Sequence, residues 1–154
     1  MSKNIFFPLA AHICICLGCY ALFRLTWIGP EGGILLQYLP DQMVIAMFII
    51  AFIVQILAIL AYFNIGKRID SFSKLAVLSI FSVLIANIVN IAVIYMLGYN
   101  MTSSLRLFML SGGVPFYFIY LISEMNFIMQ VIAVFLPVAA IFAGNIYAYF
   151  LRKK

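Results

Sequence analysis

The chain has 154 residues, of which 68% are hydrophobic and 8% are charged, and its mean hydropathy is +1.22. This composition lies far outside the range of soluble globular domains and predicts a single integral membrane domain over residues 1–154. The net charge of +5 does not indicate nucleic-acid binding, because the charges lie between apolar runs, where they determine membrane topology.

Four segments without charged residues have about the length of ~20 residues that crosses a hydrocarbon layer of ~30 Å. We predict membrane spans at residues 5–23, 43–65, 75–98 and 127–151. A further apolar segment, residues 107–122, is shorter and contains Gly112-Gly113 and Pro115, which weaken a straight helix. The sequence therefore predicts an all-α, four-helix transmembrane bundle in which residues 107–122 form a re-entrant or interfacial segment on the outer side.

The basic residues favour this topology over an alternative with five spans. With four spans and a cytoplasmic N-terminus, seven Lys and Arg residues lie on the cytoplasmic side, and only Arg24 and Arg106 lie outside. A fifth span at residues 107–122 would move the C-terminal basic cluster outside and give four residues against five. We therefore predict a multi-pass protein of the cytoplasmic (inner) membrane with both termini in the cytoplasm.

The first predicted span contains the single histidine and all three cysteines of the chain. His12, Cys16 and Cys19 follow spacings of four and three residues and share one helical face, whereas Cys14 points elsewhere. Zinc or Cu(I) could bind on this face, but zinc needs a fourth donor, and buried cysteine commonly acts as a small hydrophobe. Helix packing is the favoured interpretation, and a metal or thiol-redox site is the weaker alternative.

The same segment resembles a bacterial lipoprotein signal, with Lys3 before an apolar run and Gly18 directly before Cys19. The third residue before Cys19 is Cys16, where such signals usually have leucine. Lipidation of Cys19 is therefore a further alternative, and an intact-mass measurement tests it.

Small and polar residues recur at helical spacing in the later spans and mark the faces that pack between helices in lipid. These stripes are Ala51, Gln55, Ala58 and Tyr62 in the second span, Ser79, Ser82, Ala86 and Asn90 with Asn87 beside them in the third, and Gln130, Ala133, Pro137, Ala140, Gly144 and Ala148 in the fourth.

An unpaired amide at membrane depth costs several kcal/mol. We therefore expect the amides to bond with one another, with backbone carbonyls or with a ligand; they are Gln55, Asn87, Asn90, Gln130 and Asn145. Interhelical hydrogen bonding is the favoured interpretation, and a pathway for a neutral solute is the alternative.

Charged residues are absent from the middle of every predicted span, which argues against an ion-coupled pump or a voltage sensor. Arg106 and Glu124 flank the fifth apolar segment, and we predict that they pair in the outer layer.

The chain contains no recognisable catalytic or cofactor motif. It lacks the phosphate-loop, serine-hydrolase and zinc-protease signatures, and one histidine cannot supply both axial ligands of a b-type haem. We expect a non-enzymatic protein without a cofactor that binds no nucleic acid. It would act by helix contacts with another membrane protein or a second copy of itself, as an accessory subunit or an immunity-type protector. The alternatives are a small transporter or channel-like subunit for a neutral solute and, more weakly, a metal or thiol-redox membrane protein.

Overall fold

The computed structural model describes residues 3–27, 40–69, 74–97 and 127–152, and its secondary structure is entirely helical in these ranges. The four helices are α1 (Lys3–Trp27), α2 (Asp41–Arg68), α3 (Lys74–Leu97) and α4 (Phe127–Arg152). The prediction of an all-α protein with four helices is confirmed for the described ranges. Residues 107–122 and the predicted pair of Arg106 and Glu124 lie outside them.

The helices coincide closely with the four apolar segments. The largest difference is at the end of α1, which continues to Trp27 where the apolar segment ends at residue 23. The extra turn contains Arg24, because an arginine is a good helix former and hydropathy does not report where helical hydrogen bonding stops.

The four helices pack in the cyclic order α1, α2, α4, α3, so that each has two neighbours with extensive contact. The interface of α2 with α4 is the largest, and α1 packs mainly against α3. α2 and α3 follow one another closely in sequence but are diagonal across the bundle.

α2 and α4 run in the same direction. Asn87 of α3 donates to the carbonyl oxygen of Val134, whereas Asn145, further along α4, donates to the carbonyl oxygen of Ile69 at the end of α2. At ~1.5 Å per residue, Asn87 lies about 20 Å from the start of α3, which begins shortly after α2 ends. α4 therefore runs back from the level of Asn87 to the C-terminal end of α2.

The closest approach of two helices is the crossing of α2 and α4 at Gly66 and Gly144. A Cβ atom added to Gly66 would overlap the carbonyl oxygen of Ile141, and one added to Gly144 would overlap the carbonyl oxygen of Phe63. These obstacles are backbone atoms, which cannot turn away as a side chain can. Glycine at both positions is therefore what allows the two backbones to touch.

The buried faces of α2 and α4 follow the predicted stripes. Gln55, Ala58 and Tyr62 are buried in α2. In α4 the buried residues of the stripe are Pro137, Ala140, Gly144 and Ala148. The side chains of Ala51, Asn90, Gln130 and Ala133 lie outside the described ones.

The buried face of α3 differs from the predicted stripe. Ser79, Val83 and Asn87 are fully buried, whereas Ser82 and Ala86 are only half-buried. Ser82 donates its hydroxyl to the carbonyl oxygen of Ser79 at 2.6 Å, so its polar group is satisfied within its own helix. Asn87 bonds across the interface to α4 instead, and therefore turns inward.

The described helices expose many large apolar side chains, and their core contains polar side chains beside apolar ones. Large apolar side chains project from the bundle on every helix, with exposed fractions of 70% for Phe6, 59% for Ile45, 51% for Phe81 and 64% for Phe150. The buried polar residues are His12, Gln55, Ser79, Asn87 and Asn145. Water-soluble domains bury apolar side chains and expose polar ones.

One helical stretch in the described part of the chain, Val134–Arg152, is long and apolar enough to cross a membrane. Two further apolar stretches, Phe6–Leu22 and Val77–Val89, are shorter than this length.

Candidate functional site

A group of polar side chains lies where α1, α2 and α3 meet, and we call it the inner cluster: His12, Cys16, Tyr62 and Asn87. His12 Nδ1 and the Tyr62 hydroxyl are 2.8 Å apart and form a hydrogen bond. Cys16 Sγ lies 3.6 Å from His12 Nε2 and 3.8 Å from Nδ1. Asn87 of α3 lies near the imidazole. All four side chains are buried, so the cluster is shielded from the surroundings of the bundle.

The spacing within α1 produces half of this cluster. His12 and Cys16 are one helical turn apart on the same face, and Pro8, one turn earlier, is buried there too. Cys14 is exposed, and Cys19 is half-buried. His12 and Cys16 thus lie in contact on one buried face of α1, away from the exposed Cys14.

Tyr62 was not predicted as the partner of His12. It is the largest fully buried side chain among the described residues, and its ring is tilted 40° to the imidazole with the centroids 5.8 Å apart. Sequence spacing connects residues within one helix only, so it could not link α1 to α2. The available signal was chemical. A lone histidine in an apolar helix needs a hydrogen-bond partner, and Tyr62 carries a hydroxyl on a predicted packing face.

The face of His12, Cys16 and Cys19 is only partly assembled as a metal site. Among the side chains that the structure describes, no three His, Cys, Asp or Glu residues lie close enough to bind one ion. His12 and Cys16 are in contact, and Cys19 does not complete a triad with them.

The described amides bond to backbone carbonyls on other helices. Asn145 Nδ2 donates to the carbonyl oxygens of Ile69 at 3.0 Å and Gly66 at 3.4 Å, and so caps the C-terminal end of α2. Asn87 Nδ2 donates to the carbonyl oxygen of Val134 at 3.4 Å. We expected these amides to bond with one another, with backbone carbonyls or with a ligand. For Asn145 and Asn87 the observed partners are backbone carbonyls.

Two buried amide atoms make no well-aligned hydrogen bond to a described residue: Gln55 Nε2, and Asn87 Oδ1, whose carboxamide adjoins the His12 imidazole. At ~1.5 Å per residue, Gln55 lies about 20 Å before the end of α2, and Asn87 about 20 Å after the start of α3. Because the end of α2 and the start of α3 are adjacent in sequence, the two amides lie in one layer of the bundle. One open atom is a donor and the other an acceptor.

Cationic and aromatic groups meet where α2 and α4 end. Lys67 Nζ lies 5.8 Å from the ring centroid of Phe63 and 5.3 Å from that of Tyr147. The two rings are themselves 5.6 Å apart. Each such cation–π contact contributes about 0.5–1 kcal/mol at an exposed site, and Arg68 and Arg152 close the same two helices. The shared direction of α2 and α4 thus places their basic ends together.

Comparisons of the chain with known protein families, with curated proteins and with solved structures give no match.

Replacing Gln55 tests whether its open donor is simply a buried polar group without a partner. We expect Gln55→Leu to raise the free energy of unfolding by about 1 kcal/mol, because it removes a desolvated N–H that makes no hydrogen bond. Unfolding of the detergent-solubilised protein by heat or by sodium dodecyl sulfate measures this. Gln42→Leu, at an exposed position of the same helix, should change stability by less than about 0.5 kcal/mol. A clear loss of stability in Gln55→Leu would mean that Nε2 is hydrogen-bonded in the folded protein.

Proposed function

We propose that the chain is a four-span protein of the cytoplasmic membrane, with both termini in the cytoplasm, that acts through helix contacts with another membrane protein. The observation that carries this proposal is the set of large apolar side chains exposed on every helix, around a core that includes amides and a histidine beside its apolar residues. An exterior this apolar would aggregate in water, whereas in lipid it is the ordinary surface of a bundle.

The direction of the helices supports the proposed topology. α2 and α4 end together, with Lys67, Arg68 and Arg152 in their last turns. Basic residues at the ends of spans are concentrated on the cytoplasmic side of membrane proteins. In this topology the ring stack of Phe63 and Tyr147 under Lys67 lies at the cytoplasmic interface, where aromatic side chains are enriched.

The outward face of α2 is the surface we propose for the partner. It presents an uninterrupted set of exposed apolar residues: Ile45, Ile49, Phe52, Ile53, Ile56, Leu57 and Leu60. The polar groups described in α2 are turned toward the other helices of the bundle or lie at its ends. A protein built this way recognises a partner by shape and close packing within the bilayer, which suits an accessory subunit or an immunity-type protector.

Crosslinking within native membranes tests the contact function. A photoreactive amino acid placed at Phe52 or Leu57 should yield a discrete adduct with a membrane protein, and one placed at Val83, which is fully buried, should yield none. If exposed positions on all four helices gave no adduct except with lipid, the contact function would be wrong.

Reporter fusions test the topology independently of the partner. An enzyme that is active only in the cytoplasm should be active when fused after Lys154, and inactive when inserted within residues 28–39. Activity at neither position, or only within residues 28–39, would overturn the four-span arrangement. If this enzyme were inactive at both positions and a reporter that works only in the periplasm were active after Lys154, five spans would be favoured.

A transporter or channel-like subunit for a neutral solute is the second candidate, favoured by the two open amide atoms in one layer of the bundle. A solute carrying a hydrogen-bond acceptor and a donor would satisfy Gln55 Nε2 and Asn87 Oδ1 as it passed. Gln55→Leu and Asn87→Leu should then each reduce the uptake of one neutral polar solute from a radiolabelled panel, whereas Gln42→Leu should not. Unchanged uptake across the panel in both variants would eliminate this candidate.

A further inference from the structure

We propose that Lys67 and Arg68, at the end of α2 and beside α4, bind the phosphate of an anionic phospholipid headgroup. The site rests on the proposed membrane location and adds a ligand that the contact function does not require. It is carried by the geometry around the Lys67 ammonium group, which contacts two aromatic rings from different helices.

The crossing of α2 and α4 brings both rings to Lys67. Gly66 and Gly144 let the two backbones touch, so a ring on α4 reaches a cation at the end of α2. Phe63 precedes Lys67 by one helical turn, and Tyr147 lies about one turn beyond the crossing on α4. The ammonium nitrogen is 5.8 Å from the ring centroid of Phe63 and 5.3 Å from that of Tyr147. These contacts place the charge at a defined point on the flank of the two helices.

The rings leave Lys67 without a counterion among the described residues. A cation–π contact stabilises an ammonium group but does not neutralise it, and its N–H groups still need acceptors. The described ranges contain one acidic residue, Asp41, at the opposite end of α2. Lys67 is half-buried, and Arg68 beside it is exposed. An anion from the surroundings can therefore contact both cations.

The depth of Lys67 indicates the source of this anion. Gly66 and Gly144 are level with each other, so Lys67 lies near the level of Asn145, which bonds to the end of α2. At ~1.5 Å per residue, Arg152 is about 10 Å further along α4. With the end of α4 at the cytoplasmic surface, Lys67 lies on the membrane side of that surface. Lipid phosphates are the anions that a bilayer supplies in this layer.

The balance of charge favours an anionic lipid over a zwitterionic one. In the proposed topology the cytoplasmic side has seven basic residues and one acidic residue, Asp70. A zwitterionic headgroup carries its own ammonium group, which Lys67 and Arg68 repel, whereas a headgroup with net negative charge is attracted by both. Basic pockets between helices on the cytoplasmic side are general binding places for anionic headgroups.

The surface on the membrane side of the rings fits an acyl chain. Ala143 is exposed one turn before Tyr147, on the flank of α4 where Tyr147 contacts Phe63. Its small side chain leaves a shallow apolar groove beside α2. A lipid with its phosphate at Lys67 therefore places a chain along this groove.

Native mass spectrometry of the full-length protein in detergent tests the site. We expect one phosphatidylglycerol per chain, bound at least about fivefold more tightly than phosphatidylcholine. Lys67→Gln and Arg68→Gln should each weaken this binding by about fivefold, the effect of one basic residue near an anionic membrane surface. Arg152→Gln removes the same charge about 10 Å away and should weaken binding less than about twofold, because charges at that distance are screened.

Tyr147 provides a matched pair of variants. Tyr147→Phe keeps the ring and should bind phosphatidylglycerol as the wild type does, whereas Tyr147→Leu should bind it about two- to fivefold more weakly. Equal affinity for the two lipids, or an equal loss in Arg152→Gln and Lys67→Gln, would overturn the site in favour of a diffuse basic surface. Displacement of the lipid by an excess of inorganic phosphate would overturn it in favour of a free anion.

Labelling of the wild type in vesicles gives a second readout that does not depend on the folding of a variant. A phosphatidylglycerol with a photoreactive group at the headgroup end of an acyl chain should label the parts of α2 and α4 around Phe63 and Ala143. Equal labelling of all four helices, or labelling confined to α1 and α3, would rule out the site. Such a failure leaves the contact function standing, because the partner crosslinks and reporter fusions are measured without added lipid.

Discussion

Gly66→Ala and Gly144→Ala should each lower the free energy of unfolding by about 1–3 kcal/mol, the range measured for overpacked interiors. The added Cβ at Gly66 would overlap the carbonyl oxygen of Ile141, and the one at Gly144 would overlap that of Phe63. Since both obstacles are backbone atoms, relief requires α2 and α4 to separate along their interface. The larger side chain in Gly66→Leu should prevent the crossing altogether.

Gly18→Ala is the matched control for the glycine prediction. A Cβ at Gly18 meets no atom within 4 Å, so the substitution adds helix propensity without a clash. It should leave stability unchanged or raise it by up to about 1 kcal/mol. Thermal unfolding in detergent, followed by the loss of helical circular dichroism, compares the three variants. Equal effects at Gly18 and Gly66 would mean that α2 and α4 do not cross at the glycines.

The double substitution of Gly66 and Gly144 by alanine gives a sharper comparison. Both glycines act at one crossing, and once the helices have separated for the first Cβ, the second finds part of its space already open. We expect the two effects to combine to clearly less than their sum. Strict additivity would indicate two independent sites.

Asn145→Leu should lower the free energy of unfolding by about 2 kcal/mol, because it removes both donor contacts to the end of α2 and leaves the carbonyl of Ile69 without this partner. Asn145 is 3% exposed and donates to Ile69 and Gly66. Asn64→Leu makes the same chemical change at an exposed position of α2 and should have an effect below about 0.5 kcal/mol. Indistinguishable unfolding curves for the two variants would contradict the role of Asn145 as a cap.

The opposite signs expected for Gln55→Leu and Asn145→Leu separate two kinds of buried amide. Both residues have less than a tenth of their surface exposed. Asn145 has partners for its N–H groups, and Gln55 Nε2 has none among the described residues. Burial of a polar group is thus stabilising or destabilising according to the hydrogen bonds it makes, and not according to its depth.

The four helices were predictable because their extent is a property of local sequence. An apolar run without charges determines where each helix begins and ends to within about a turn. The pairing of α2 with α4 was not predictable in the same way. It depends on Gly66, which falls just beyond the predicted second span, and nothing local to Gly66 indicates that Gly144 is its counterpart.

The inner cluster was predictable in part for the same reason. One helix supplied His12 and Cys16 at a spacing of four residues, and that contact is observed. Tyr62 and Asn87 come from two other helices, and their approach to His12 depends on how those helices are rotated. Rotation is decided by packing, as the inward turn of Asn87 in place of Ser82 illustrates. A single sequence contains the composition of each face but not the partner it meets.

The large interface between α2 and α4 imposes an order on biosynthesis. Residues 69–126 separate the two helices in the chain, and at ~5–20 residues per second α4 is completed about 4–17 s after α2. Through this interval α2 has neither the backbone of α4 at Gly66 nor the Asn145 cap at its end. A nascent chain that stops before α4 therefore leaves Gly66 without the backbone that packs against it, and leaves the C-terminal end of α2 without its cap. Such a fragment is the form of the protein that chaperones and membrane proteases should recognise as unfinished.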